Sequence, residues 1–215
     1  ILAPTKNRQF YANDATLPSD LGTNDALTLQ DIDRMMSVLA ESNVPMQHCI
    51  FKDDKNSWDD PFYVLFVTER QWLYLIARTG QTQWRTVLQN AIARLTPEMR
   101  KHPLFSGDVG YWRNVFIKPL KRYAIRYNAA DLVTYDTGGA DGFTYTEATA
   151  AVTASITLDR AILVGAQALA MVYGKNQTSD YFMDWNEELT DHKNAVEIST
   201  ATMGGCAKVR FKVIN

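Results

Sequence analysis

The sequence predicts an α+β fold, because both helical and strand patterns are well represented along it. Two stretches, 28–43 and 84–95, place apolar residues at helical spacing. The run 62–67 is continuously apolar and rich in β-forming residues, the pattern of a strand covered on both faces. Near the end, 208–213 alternates cations with apolar residues, which is typical of a half-exposed edge strand. With 46% hydrophobic residues over a length of 215, the chain has enough apolar material for a core.

The first helix has clear boundaries in the sequence. Residues 1–25 are polar and predict an extended lead-in or linker. Thr28 is a good N-cap, and Asp31 completes a capping-box arrangement. We expect the helix to end near Asn43. An apolar stripe at helical spacing follows the cap, formed by Leu29, Ile32, Met36 and Leu39.

The next elements predict a strand followed by two helices. After the strand at 62–67, Thr68 caps a short helix that ends at Gly80. A third helix runs from Trp84 to Leu95, and Pro97 closes it.

Strands then dominate the prediction. Beyond a turn at 102–110, we expect strands at about 113–118 and 122–127, joined as a hairpin around Pro119-Leu120-Lys121. The stretch 128–158 predicts a surface loop with a strand near 151–158.

The last part of the chain carries weaker signals. Residues 161–164 predict a buried strand, and Gly165 is expected to turn the backbone into a short helix through Gln167, Leu169 and Met171. Residues 181–185 predict a strand. The stretch 192–203 is compatible with either helix or strand, and Gly204-Gly205 predicts a turn.

Charge and cysteine content exclude several function classes. The net charge is −2 and the pI near 5.9, so there is no general electrostatic drive toward nucleic acid. No apolar run approaches the roughly 18 residues that span a bilayer, and nothing near the start follows the signal-peptide pattern. Cys49 and Cys206 are far apart, and we expect both to stay reduced.

No catalytic, cofactor-binding or metal-binding residue is predicted. The histidines at 48, 102 and 192 are dispersed and lack the i, i+3 or i, i+4 partners of a helical metal site. An alternative function, an α+β enzyme or metal-binding domain, would use the acidic cluster 180–191 to gather a hard cation. That cluster has neither EF-hand spacing nor its central glycine, which favours a solvated face. Its acidic members are Asp180, Asp184, Glu187, Glu188 and Asp191.

A basic and aromatic segment at 118–127 supports a second alternative. Alternating cations and aromatic rings on strands can stack single-stranded bases. The competing interpretation is a strand whose polar face meets solvent or a neighbouring subunit. The residues concerned are Lys118, Lys121, Arg122, Tyr123, Arg126 and Tyr127.

Three blocks, in order, carry a family resemblance. His102-Pro-Leu-Phe-Ser-Gly-Asp-Val-Gly-Tyr-Trp-Arg-Asn-Val is similar to the NPLF-TG-LG-(Y)-NGV segment of tailed-bacteriophage major capsid proteins. Asp159-Arg-Ala-Ile-Leu-Val-Gly-Ala-Gln-Ala resembles the RA-LLGAQA segment of that family. Trp185-Asn-Glu-Glu, followed by Asp191 and Asn194, resembles its W-EE…DYGN segment.

The resemblance implies the tailed-phage capsid fold. On that basis 1–25 is a lead-in, 26–178 is like the A-domain, a mixed sheet flanked by helices, and 179–215 is like the chain's return through the P-domain. The family's spine helix and E-loop would lie upstream. Because the chain opens on Ile1 without an initiator methionine, we expect it to be processed or to start partway through a longer product.

The implied function is structural. A member of this family is a virion subunit, assembled in the host cytoplasm, that forms hexamers and pentamers around double-stranded DNA, which it contacts non-specifically. Its implied partners are other copies of itself, with scaffolding, portal or decoration proteins as further candidates and no membrane. Such a protein works through repeated subunit contacts, so the resemblance implies no enzyme activity and no cofactor.

Overall fold

The computed structural model describes residues 10–15, 20–22, 24–42, 46–51, 61–121, 126–127, 133–136, 145–148, 158–166, 168–174 and 183–209. The fold is α+β, as the sequence predicts. Residue contacts divide the chain into two compact units, Leu2–Ala166 and Gln167–Asn215. The α-helices are α1 (Leu29–Glu41), α2 (Glu69–Arg78), α3 (Gln81–Arg94) and α4 (Pro97–Lys101), and the described residues also include short 3₁₀ helices at Ala12–Asp14 and Asp191–Lys193. The strands are β1 (Tyr63–Thr68), β2 (Gly110–Trp112), β3 (Val115–Leu120), β4 (Arg126–Tyr127), β5 (Val133–Asp136), β6 (Tyr145–Ala148), β7 (Leu158–Asp159), β8 (Ile162–Val164), β9 (Leu169–Tyr173), β10 (Met183–Thr190), β11 (Ala195–Thr202) and β12 (Gly204–Lys208).

The first unit is built on a four-stranded mixed sheet in the order β2-β3-β1-β8. β1 and β3 are parallel, with Tyr63 opposite Val115 and Thr68 opposite Leu120. A parallel pair needs a long crossover, and α2, α3 and α4 lie in the connection between these two strands. β2 and β8 add to the two sides in antiparallel orientation.

The sheet is covered on both faces, as the apolar run at 62–67 predicts. Side chains alternate along a strand, so Leu65 and Val67 lie on the face opposite Phe62 and Val64. Each face belongs to a separate buried cluster. The first cluster contains Leu29, Ile32, Leu65, Val67, Trp72, Leu75, Trp84, Val87, Val115 and Ile117. The second contains Phe62, Val64, Ala91, Leu95, Met99, Phe105, Val109, Tyr111 and Phe116.

The predicted starts of the first two helices are confirmed in detail, whereas the third helix, predicted from Trp84, begins earlier, at Gln81. At α1, Thr28 Oγ1 accepts a hydrogen bond from Asp31 N at 3.3 Å, and Asp31 Oδ2 accepts one from Thr28 N at 2.9 Å. Thr68 and Gln71 form the same reciprocal box at α2. The prediction at Pro97 is incomplete, because Pro97 also opens α4 as its first residue.

The hairpin predicted around Pro119-Leu120-Lys121 is wrong. Pro119 lies inside β3, opposite Val67, and the true turn is Arg113-Asn114 between β2 and β3. Both turn residues have positive φ, 45° and 64°. β2 pairs with β3 only as far as Ile117, so the proline sits beyond the end of that partner strand, where its missing N–H is tolerated.

The stretch predicted mainly as a loop contains paired strands. β5 pairs with β6 inside this stretch, and β7 at its end pairs with β4, which lies within the strand predicted at 122–127. Most of the strand predicted near 151–158 lies outside the described residues, which resume with β7. The strand predicted at 161–164 is confirmed as β8, which is half-buried and antiparallel to β1.

In its described part the second unit consists of strands and one short 3₁₀ helix, Asp191–Lys193, and the helix predicted after Gly165 is wrong. Leu169 and Met171 lie in β9, which pairs with β12, and pairing of the backbone outweighs the weak helical spacing. The turn predicted at Gly204-Gly205 is also wrong, because both glycines pair within β12. The ambiguous 192–203 contains β11, which pairs over eight residues with β10. Of the strand predicted at 208–213, only Lys208 and Val209 are described.

Candidate assembly surface

The first motif block forms a turn that the aromatic core holds in place. Phe105 is 4% exposed, and its ring makes edge contacts with Phe62 and Phe116 at centroid distances of 6.0 Å and 5.0 Å. Gly107 has a φ of +79°, a conformation that side chains rarely adopt. His102 Nδ1 accepts a hydrogen bond from Leu104 N at 3.2 Å, so this histidine stabilises the turn.

Two cations of the basic segment fix the same turn from the strand side. Lys118 Nζ donates to Ser106 O, and Lys121 Nζ pairs with Asp108 Oδ2 at 2.8 Å. Burial lowers the pKa of Lys118, although Asp108 acts in the opposite direction. The hydrogen bond to Asp108 raises the pKa of Lys121. Both cations therefore have local protein partners, and nothing in their placement points to stacked bases.

The hairpin turn of the first block is anchored on α1. Trp112 Nε1 donates to Asp33 Oδ1 at 2.9 Å, and Arg113 Nη1 lies 3.5 Å from the same oxygen. Gly110 in β2 allows close approach, since an added Cβ would lie 3.0 Å from Val87 Cγ1. Trp112 and Gly110 of this block therefore have structural roles: Trp112 binds α1, and Gly110 allows β2 to pack closely against α3.

The second motif block is fixed through one buried carboxylate. The Asp159 side chain is 5% exposed. Its Oδ2 accepts hydrogen bonds from Arg70 Nε at 2.6 Å and from Thr68 Oγ1 at 3.1 Å. Gln71 Nε2 donates to the Asp159 carbonyl oxygen at 3.1 Å. The block is thereby attached to the first turn of α2.

The glycine of the second block is required by a backbone contact. An added Cβ at Gly165 would lie 2.1 Å from Gln47 O, and Ala166 N donates to that same carbonyl at 2.9 Å. A side chain at 165 would separate these two segments, so the position accepts only glycine without rearrangement.

The acidic alternative receives no support from the geometry. Glu187 and Glu188 are neighbours in β10, and strand alternation directs them to opposite faces. Asp180 lies outside the described residues. In the described ranges, no three His, Cys, Asp or Glu residues are grouped closely enough to hold a metal ion. Of the three histidines, His192 has positive φ in the loop between β10 and β11.

The two cysteines are both free thiols. Cys49 is half-buried, and burial raises the pKa of its thiol. Cys206 is exposed on β12. No helix within the described ranges has the length and apolar character that crossing a bilayer requires.

The third motif block lies on an amphipathic ribbon, which we define as the antiparallel pair β10–β11. Register places Trp185 opposite Thr200 and Leu189 opposite Val196 on one face, while Glu188 opposes Glu197 on the other. The first face, called the apolar face below, is exposed. Its large apolar members are Met183 (59% exposed), Trp185 (65%), Leu189 (54%), Val196 (55%) and Ile198 (63%).

This surface was only partly visible in the sequence. Trp185 is recognisable within the third block, and Val196 with Ile198 shows a period of two. The missing information was the register between β10 and β11, which alone brings the two apolar rows side by side. Large exposed apolar patches mark interaction sites, so this face is the candidate assembly surface.

Comparison with known proteins adds two findings. The sequence profile of a family described as phage capsid protein matches residues 1–215. Among solved structures, the chain is similar to a chain of the capsid of Ralstonia phage GP4, with a TM-score of 0.64 and 20% identity over 97% of this chain. The match covers 50% of that capsid chain, so this chain spans about half its length. No curated protein matches.

Proposed function

Because this chain belongs to the phage capsid protein family, we propose that it acts as a structural subunit of an icosahedral bacteriophage head. In this role it is a major capsid protein that associates with copies of itself into hexamers and pentamers around the packaged DNA. The observation that carries the proposal is the family match over residues 1–215. The likeness in fold to a phage capsid chain supports it independently.

The work done by the motif residues agrees with a structural role. Phe105 anchors a turn, Asp159 fixes the start of α2, and Gly165 permits a backbone contact. Each of these residues holds parts of the first unit together. Shell proteins need such rigid bodies, because the same surfaces must meet correctly at many repeated contacts.

The finer assignments follow from the same proposal. Residues 26–178 serve as an A-domain-like body and 179–215 as a P-domain segment, with 1–25 as a lead-in. Assembly takes place in the host cytoplasm, and scaffolding, portal or decoration proteins join the shell. Contact with packaged DNA is non-specific, which is consistent with the net charge of −2.

The proposal is tested by electron microscopy of the full-length gene product, together with mass spectrometry of purified virions. We expect closed shells in the assembly reaction and peptides of this chain among the most abundant in the virion. Particles that lack these peptides, combined with a product that stays monomeric in every assembly condition, would overturn the proposal.

A further inference from the structure

We propose that residues 10–15, called the clip below, are a detachable part of the first unit. The Arg34 side chain attaches the clip to α1, and raised salt releases it while the rest of the unit stays folded. The inference concerns contacts within one copy of the chain, so it does not depend on the proposed function.

The first argument is that one arginine binds the clip at two points. Arg34 Nη2 donates to Tyr11 O at 2.8 Å, across 23 positions of the chain. Arg34 Nη1 forms an ion pair with Asp14 Oδ1. A guanidinium carries its N–H donors in a rigid fork, so a single side chain can bind two acceptors at once. A lysine at this position would keep the charge but lose the fork.

The second argument is that the clip takes its shape from its own residues. Asn13 and Asp14 both have positive φ, 57° and 58°. Asparagine and aspartate adopt this region more readily than most other side chains. Ala15 N donates to Ala12 O at 3.3 Å and closes the turn. Because these features do not involve α1, the turn can leave the helix without losing its own structure.

The third argument is the difference in burial between the clip and α1. No residue of the clip is buried, and the Asp14 side chain is 84% exposed. In α1, by contrast, Leu29 and Ile32 are 6% and 0% exposed within the first core cluster. Segments with little buried apolar surface open at a low free-energy cost while the core stays folded. The clip should therefore detach long before α1 does.

The exposure of the ion pair makes the attachment sensitive to salt. At about 1 M salt the screening length falls to about 3 Å, which weakens attraction between exposed charges. A neutral side chain supplies the second described attachment, since Asn13 Nδ2 donates to Asp25 Oδ1 at 3.1 Å at the surface. Water competes for both partners of such a bond, so it does not hold the clip when Arg34 is screened.

The test is brief digestion of the purified chain with chymotrypsin, which cleaves after aromatic residues. Phe10 and Tyr11 are its sites in the clip, and Arg34 binds the Tyr11 carbonyl. Phe116 is 1% exposed, so cleavage there reports unfolding of the unit. Mass spectrometry measures both rates, each corrected for the effect of salt on a short peptide substrate. We expect about 1 M NaCl to speed cleavage in the clip about fivefold and to leave cleavage at Phe116 unchanged.

Four variants separate the contacts. At low salt, Arg34→Gln should speed cleavage in the clip about tenfold, because it removes both charge-assisted contacts. Arg34→Lys should have a smaller effect. Asp14→Asn changes no residue of α1, and it should both speed cleavage and reduce the response to salt. Arg85→Gln is the matched control, because it removes an exposed arginine from α3, and it should behave like the wild type.

Three outcomes would overturn the inference. The first is equal cleavage of the clip in Arg34→Gln and Arg85→Gln, which would show that Arg34 does not hold it. The second is a wild-type rate in the clip that does not respond to salt. The third is cleavage at Phe116 that rises in step with cleavage in the clip, since the clip would then detach only when the unit unfolds. None of these results bears on the proposed function.

Discussion

Arg70 Nε donates to Asp159 Oδ2 at 2.6 Å, joining the start of α2 to β7 across 89 positions of the chain. The carboxylate is almost fully buried, whereas the Arg70 side chain is 40% exposed. Thr68, which caps α2, donates to the same oxygen. The Asp159 side chain thus links β7 to Thr68 and Arg70 at the start of α2. Because β7 leads directly into β8, these bonds position β8 at the edge of the sheet.

We predict that Asp159→Ala destabilises the first unit by about 2–3 kcal/mol. The substitution removes the buried oxygen to which Thr68 Oγ1 and Arg70 Nε donate. Loss of a buried hydrogen-bond acceptor is costly in folding free energy. The exposure of Arg70 keeps the loss below that of a fully buried pair. Asp159→Asn keeps an oxygen acceptor and should cost about half as much. Urea unfolding followed by tryptophan fluorescence gives both values.

The control for this prediction is Asp108→Asn, which removes the charge from a pair with Lys121 at the surface. Both side chains of that pair are more than half exposed, so we expect no measurable change in stability. Equal destabilisation by Asp108→Asn and Asp159→Asn would contradict the argument that Asp159 matters because its carboxylate is buried.

We predict that Gly165→Ala lowers stability by about 1–3 kcal/mol, because its methyl group would overlap Gln47 O and force the two segments apart. Gly205→Ala is the matched control. An added Cβ at Gly205 meets nothing within 4 Å, and an alanine there restricts the unfolded chain. Thermal unfolding should show a lower melting temperature for the first variant and an unchanged or slightly higher one for the second.

The parts of the fold that sequence patterns predicted are those with strong local signals. Thr28 and Thr68 each sit three residues before a side chain able to complete a capping box, so the starts of α1 and α2 were predictable. The run at 62–67 is apolar on both faces because helices cover both faces of β1.

The errors occurred where pairing across the chain decides the structure. Leu169 and Met171 fit a helix by spacing, yet they form β9 because β12 lies beside them. The turn at Arg113-Asn114 lacks the glycine that usually marks a tight hairpin. For this reason the hairpin turn was predicted at Pro119, which is a common turn residue. The candidate assembly surface was hard to predict for the same reason. Its apolar residues come from two strands, β10 and β11, and local sequence patterns do not show how these strands pair.

We predict that the two thiols differ strongly in reactivity. Thiolate is the reactive form, and burial raises the pKa of Cys49, so at a fixed pH near 8 less of this cysteine is ionised. Cys206 is exposed and should react with iodoacetamide on the order of tenfold faster. Mass spectrometry of a labelling time course measures both rates. In Cys206→Ser, only slow labelling should remain, and urea should accelerate it; fast labelling of Cys49 in the folded variant would refute its burial.

The last prediction concerns the backbone of the β2–β3 turn, where Arg113 and Asn114 both have positive φ. Arginine pays a steric penalty in this region, whereas asparagine tolerates it, so Arg113→Asn should gain about 0.5–1 kcal/mol. The change also removes the contact between Arg113 and Asp33, but the two groups are 3.5 Å apart, with side chains 59% and 35% exposed, so the pair contributes little.

The gain from the backbone should therefore exceed the loss of the ion pair in Arg113→Asn. Arg113→Ala separates the two effects, because it loses the same contact without relieving the positive φ. We expect urea unfolding to rank Arg113→Asn above the wild type and Arg113→Ala below it. If both variants lose the same stability, then the contact with Asp33 outweighs the strain of the turn, and the predicted gain for Arg113→Asn is wrong.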